Sequence, residues 1–293
     1  MRLPRVITCL MPLYLVLGLT GGLSGCRPAA PGGLLFASAR TGNWEIWLQA
    51  GPEHKLLNLT RYPSADRFPD WSPDRRQLVF ASDRKGSFDL YLIEPDGANL
   101  RVLDESPYPD TTPRWSAGNQ IAFVSEREDR NEEIYTIRPD GTGLQRLTRD
   151  PAADYDPAWF PDGGSLVFVS LRSGASELYS LPAAGGAPVA LTHDKSDKRS
   201  PDVSPDGKAI VFSQRQGKDW NLARLELASG EIRPLTRRSG WTGMPRWRNP
   251  SELIFAGGEV RHFGLWRLAS DKAPASIELG GDAREAAWNA KDQ

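Results

Sequence analysis

Short apolar runs recur along the chain from residue 34 to residue 290, and none is long enough to be an ordinary helix. "QLVFAS" (77–82), "LVFVS" (166–170) and "AIVFS" (209–213) are rich in β-branched and aromatic residues. Each is set off from a second run, "DLYLI" (89–93) or "ELYSL" (177–181), by a polar segment containing Gly. That alternation of a short strand-like run with turn residues predicts β-hairpins. No stretch carries a period of 3.6, so helices are expected to be nearly absent.

The runs repeat at a fixed interval. Thr60, Asp104, Thr148, Thr192, Thr236 and Gly280 occupy one slot every 44 residues. Trp71, Trp115, Trp159, Val203 and Trp247 keep the same step, with Trp288 following after 41. Phe36, Phe80, Phe123, Phe168, Phe212 and Phe255 form a third series spaced 43 to 45. A period of 40–45 residues made of strands belongs to β-propellers, in which each repeat is one blade. Four strands fit each repeat: a Pro-x-Trp segment, the Phe strand, a third such as "EIYTI" (133–137), and a fourth leading into Leu-Thr. Six Phe strands predict six blades. The first unit, from "LLFASA" (34–39), lacks a Pro-x-Trp strand, and "AREAAWNA" (283–290) is such a strand without followers. The expected fold is therefore all-β: a six-bladed propeller of four-stranded antiparallel blades, closed by a C-terminal strand joining blade 1 and leaving no open edge.

"WSPD" (71–74), a Trp, a hydroxyl and a carboxylate within four residues, invites a catalytic reading. Its counterparts "RWSAGN" (114–119), "WFPDGG" (159–164) and "DVSPDGK" (202–208) show a turn instead: Pro pre-sets φ, Asp caps local backbone, and Gly supplies positive φ. Blade 2 carries Arg75 where other blades have Gly. Trp71, Trp115, Trp159, Trp247 and Trp288 are expected to wedge between neighbouring blades.

These residues support a family resemblance. "WSPD", "SPDG", the Asp-x-x-Pro-x-Trp pattern ("DRFPDW", "DTTPRW", "DYDPAW") and Ser-x-Arg-x-Gly ("SARTG", "SDRKG", "SLRSG") resemble the WD40-like repeats of TolB-type propellers, over essentially residues 34–290. TolB proteins carry an α/β domain before the propeller, for which this sequence leaves no room. The resemblance implies a six-bladed ring that binds partners rather than catalyses.

The N-terminus supplies an address. "MRLPR" is a positive n-region, and "VITCLMPLYLVLGLT" (6–20) has the length of a signal-peptide core rather than of a membrane span. The tetrad Leu23-Ser24-Gly25-Cys26 resembles the bacterial lipobox, in which cleavage before the cysteine precedes lipid attachment to its thiol. The expected organisation is a signal peptide at 1–25, lipidated Cys26 with a Pro/Gly-rich tether through 33, and the propeller at 34–293. The expected location is the bacterial envelope, on the periplasmic side of a membrane or at the cell surface. Cys9 is the only other cysteine, so the exported domain is expected to contain no disulfide and no Cys-bound metal. Loss of residues 1–25, which hold Arg2 and Arg5 and no acid, takes the formal net charge from -1 to -3. With no basic block, nucleic-acid binding is not expected.

Loops between the second and third strands share a face with the links between blades. That face holds Tyr62, Phe68, Tyr108, Tyr155 and Trp241, which do not repeat and are the candidate recognition residues. Asp66, Asp110 and Asp154, with Arg40, Arg84, Arg127, Arg172 and Arg215, recur by blade and are expected to pair and hold loops. No Gly-x-Ser-x-Gly elbow, Walker loop or His-Glu-x-x-His is present. His54, His193 and His262 are scattered, and the "DYD" acids (154–156) with Asp150 match no known cation loop. No catalytic residue, metal or cofactor is expected. The expectation is a monomeric platform for an envelope protein, or for peptidoglycan or another glycan. The alternative is a carbohydrate-binding or lyase-like propeller.

Overall fold

The computed structural model describes residues 33–51, 53–259, 262–269, 274–277, 279 and 283–287; the expected signal and tether region with Cys26, and Trp288, lie outside them. Blade 1 contains β1 (Gly33–Ser38), β2 (Glu45–Ala50) and β3 (Lys55–Asn58). Blade 2 is β4 (Asp66–Trp71), β5 (Leu78–Ser82), β6 (Asp89–Ile93) and β7 (Arg101–Asp104). Blade 3 is β8 (Asp110–Trp115), β9 (Ile121–Ser125), β10 (Glu133–Ile137) and β11 (Gln145–Arg146). Blade 4 is β12 (Asp154–Trp159), β13 (Ser165–Ser170), β14 (Glu177–Pro182) and β15 (Val189–Ala190). Blade 5 is β16 (Lys198–Val203), β17 (Ala209–Gln216), β18 (Asp219–Glu226) and β19 (Ile232–Pro234). Blade 6 is β20 (Trp241–Asn249), β21 (Glu252–Glu259), β22 (His262–Ala269) and β23 (Ala275–Ile277). The last strand, β24 (Ala283–Ala287), returns to pair antiparallel with β1, with Ala287 opposite Leu35 and Ala283 opposite Ser38. The ring closes as the repeat count requires, and the described residues contain no helix.

Six apolar clusters fill the six junctions between blades. One joins Leu35 and Ile46 of blade 1 to Trp71 and Phe80 of blade 2; the next joins Val79 and Leu90 to Trp115 and Phe123. The pattern continues around the ring to Leu34 and Phe36 against Ile254 and Leu265. Phe36, Phe80, Phe123, Phe168, Phe212 and Phe255 are completely buried. Each contributes on the order of 1.5–3 kcal/mol of burial energy.

The Leu-Thr register fastens the third strand at its upper end. The Thr60, Thr148, Thr192 and Thr236 hydroxyls accept the amides of Ile46, Ile134, Leu178 and Leu222 at 2.9–3.1 Å. Thr148 and Thr192 also donate to the buried carboxylates of Glu133 and Glu177, and Thr236 donates to Asn221 at 3.0 Å. At Thr148, a side chain of the same shape without the hydroxyl would leave the buried Ile134 amide without its acceptor. It would also take one donor from Glu133, which keeps Arg146 and the Asp150 amide. Thr148→Val is therefore expected to destabilise the protein by about 1–3 kcal/mol. Urea unfolding would show this as a lower midpoint with an unchanged slope.

Candidate functional site

The lower face of the ring carries the turns between first and second strands. At Trp-Ser-Pro-Asp, the Ser72 hydroxyl donates to Asp74 at 2.7 Å and accepts the Gln77 amide at 2.9 Å. Asp74 accepts the Arg76 amide at 3.0 Å. Ser204 and Asp206 repeat the arrangement in blade 5. These polar groups serve their own turns. Arg75 takes a φ of 59°, matching Gly163 at 69° and Gly207 at 70°.

The upper face is held by a repeated cluster. Arg84, Arg127 and Arg172 each donate Nε to the last serine of the second strand at 2.7–2.8 Å. Each donates Nη2 to Asp66, Asp110 or Asp154 at 2.7–2.9 Å. The guanidinium also lies over two aromatic rings, as Arg84 does over Phe80 and Tyr91. Three blades depart from the scheme. In blade 6, Thr242 stands at the acid's place opposite Gly257 at the serine's, and the sequence has Glu259 where the Arg would be. Blade 1 has Ala283 where the acid would stand, and Arg40 turns to the Leu279 carbonyl at 3.0 Å. In blade 5, Arg215 follows Phe212 by three residues instead of four, so the alternation of a strand carries it to the other side. It is exposed and meets Asp197 at 3.4 Å, while Lys198 fills the acid's place and is buried against Glu177 at 2.8 Å.

The central channel was not legible as a site in the sequence. Each innermost strand bulges at one residue with positive φ: Phe68, Thr112, Asp156, Ser200, Met244 and Glu285, all at 48–55°. Five of the six directly precede proline. That backbone region is costly for non-glycine residues and disfavoured before proline, so the ring of bulges is held by the surrounding fold. These six residues surround a small upper cavity of about 60 Å³. Below it, Arg114 donates to Asp202 at 2.5 Å and lies 3.7 Å from Asp70, and Arg246 reaches Asp202 at 3.3 Å. These pairs divide the upper cavity from a lower vestibule of about 330 Å³ walled by Trp71, Trp115, Trp159 and Trp247. The signal was present in the register: the residue before each Trp reads Asp70, Arg114, Ala158, Asp202, Arg246.

The same residues bridge every junction between inner strands. Asp70 accepts the Trp115 amide, Asp202 the Trp247 amide and Asp156 the Ser200 amide, at 2.7–2.8 Å. Glu285 accepts the Phe68 amide at 2.7 Å. The Trp159 indole donates to the Arg114 carbonyl at 2.8 Å, and Arg246 donates to the Ala286 carbonyl at 3.1 Å. Burial raises the carboxyl pKa of Asp70, Asp156 and Asp202, the last to about 6.

The five candidate recognition residues do not converge on one patch. Tyr62 is exposed, beneath the Arg84 guanidinium, and Tyr108 is half-buried on the blade 2–3 link. Phe68 lines the channel mouth. Tyr155 packs between blades 3, 4 and 5 and donates to Ser176 at 2.9 Å; Trp241 packs against the blade 6–1 cluster. His54 and His193 are exposed, and His262 begins β22. Among the described residues no group of three His, Cys, Asp or Glu is placed to hold a metal, and no helix is long and apolar enough to cross a membrane.

Residues 99–291 match the TolB beta propeller domain model. The chain belongs to that family. TolB from Acinetobacter baumannii superposes with a TM-score of 0.74 at 21% identity, covering 91% of this chain and 69% of that one. Solved structures of enzymes also match in fold. An oligogalacturonate lyase from Vibrio parahaemolyticus matches at TM-score 0.60 and 13% identity over 83% of this chain and 73% of its own. A Mycobacterium tuberculosis puromycin-hydrolyzing peptidase matches at 0.63 and 14%, over 84% and 44%. At these identities the likeness is one of fold. No curated protein matches the sequence significantly.

For this TolB-type channel, burial lifts the folded-state pKa of Asp202 above its unfolded value of about 3.9. The folded state therefore holds the extra proton, and this carboxyl's contribution to stability falls as pH rises from about 4 to about 6. Asp202→Asn removes that dependence. Between pH 7 and pH 4 the stability difference is expected to shift in favour of the wild type by on the order of 2 kcal/mol, measurable in paired urea titrations.

Proposed function

We propose that this is a lipid-anchored protein of the bacterial envelope whose propeller binds another protein through its upper face. The observation that carries the reading is the direction of β1. Gly33 lies at the lower end of that strand, beside Ala287, and Ser38 at the upper end, beside Ala283. A lipid on Cys26 lies seven residues before Gly33, a contour of about 24 Å. The anchor therefore faces the lower side toward the bilayer and leaves the upper face turned away from it. The lower face carries short turns in which Pro-Asp-Gly recurs (95–97, 139–141, 161–163 and 205–207), whereas the upper face differs from blade to blade. Variation on a rigid scaffold is where recognition is commonly carried.

The oligogalacturonate lyase is a ring of like fold, so polyuronide turnover sensitive to EDTA is the outcome that would replace this reading. Cys26→Ala is expected to abolish metabolic labelling with a fatty-acid analogue, and continued labelling would remove the anchor. In captures from envelope extracts, one enriched protein is expected. Replacing Tyr62 and Tyr108 by Ala is expected to weaken that capture about tenfold or more if either is an interface anchor. Undiminished capture would move the contact off this side of the face.

A further inference from the structure

Blades 5 and 6 depart from the rest of the ring. β17 and β18 are eight residues long, and their pairing runs out to Gln216 opposite Asp219. Aligned on the buried Phe, β17 continues two residues past the point where β5, β9 and β13 stop. That raises the hairpin by about 7 Å. β21 and β22 extend likewise, to Glu259 opposite His262. The link between these blades is stitched to β18. The Trp220 amide donates to the Gly240 carbonyl at 3.0 Å, Asn221 exchanges hydrogen bonds with the Arg238 backbone at 2.7 and 3.1 Å, and Trp220 pairs in parallel with Trp241. The two blades become one continuous sheet. The result is a rigid, raised ridge on the upper face.

Its side chains are cationic and aromatic. Arg199 lies over the Trp220 ring at 5.1 Å and Arg238 over the Trp266 ring at 3.9 Å. Lys218 and Arg237 are exposed beside them. Among the described residues, none of these four cations has a carboxylate within ion-pair distance. The neighbouring acids are engaged elsewhere: Asp197 with Arg215, and Asp219 with the Gly240 amide. The acids of the blade 3 upper loop are engaged as well: Glu128 and Asp129 pair with Arg146 at 2.8 and 2.7 Å, and Glu132, like Asp156, lies within electrostatic reach of Arg199.

We propose that the ridge over blades 5 and 6 docks an acidic segment of a partner protein. The proposal rests on the reading that the upper face binds protein, and it names the chemistry of the partner. Guanidinium groups held over indole rings keep their charge and planar N–H donors available to a carboxylate. A convex wall of Arg and Trp has the composition of protein interface anchors, whereas small sugars are bound in concave clefts.

The test uses the full chain in detergent and a fluorescein-labelled poly-glutamate peptide, read by anisotropy. Wild type is expected to bind, more weakly as salt is raised. Arg199→Glu, Lys218→Glu, Arg237→Glu and Arg238→Glu together are expected to lower affinity about tenfold or more. Lys218→Glu with Arg237→Glu alters only exposed side chains and is expected to lower it in the same direction, which covers a quadruple variant that fails to fold. Affinity unchanged by the reversal, tighter binding of poly-lysine, or tighter binding of polygalacturonate would overturn the proposal. So would self-association that the reversal abolishes while poly-glutamate does not bind, since the occupant would then be a second copy. Capture of an envelope protein that survives the reversal overturns the ridge and leaves upper-face binding intact.

Discussion

The pairing of β24 with β1 is the interaction on which the whole ring depends. Each blade buries its faces against its neighbours, so none is complete alone, and an unclosed ring would leave the β1 edge and two blade faces in water. The chain meets this constraint by splitting blade 1 between its two ends. Closure also places both ends of the propeller on the lower face.

Closure alone does not fix the spacing of the inner strands, which do not pair with one another. Their six junctions are spanned by side-chain-to-backbone bonds, four of them from carboxylates to amides of the next blade. Those carboxylates sit where water is scarce, and burial raises the pKa of three of them. Arg114, reaching across the channel, and Arg246, from the adjoining blade, offset that burial by pairing with Asp202. The channel is thus braced as well as narrowed, and its charges have a structural task.

The blade count, the four-strand blade and the closing strand were legible because each rests on a residue type that recurs: buried Phe, wedged Trp, bonded Thr. The Asp–Arg–Ser clusters of blades 2 to 4 were legible for the same reason. The channel charges were not. Asp70, Arg114, Ala158, Asp202 and Arg246 share one register but differ in type, so repetition does not reveal them. The ridge was hidden by a similar cause. "SQRQG" (213–217) looks like the Ser-x-Arg-x-Gly of its siblings, yet it is one residue closer to Phe212. That single offset turns Arg215 outward and lets β17 continue as strand. Of the aromatic candidates, Tyr155 and Trp241 were read from exposure expected of loops, and both place much of their surface between blades.

The two faces differ: short recurring turns lie below, and variable loops with a cationic ridge lie above, the side proposed to meet a partner. Site-specific photo-crosslinking in intact envelopes tests this most directly, with the photoreactive residue placed at Lys218 or Tyr62 above and at Asp162 or Asp206 below. The account predicts protein adducts from the upper positions and none from the lower ones. Adducts confined to Asp162 and Asp206 would contradict it.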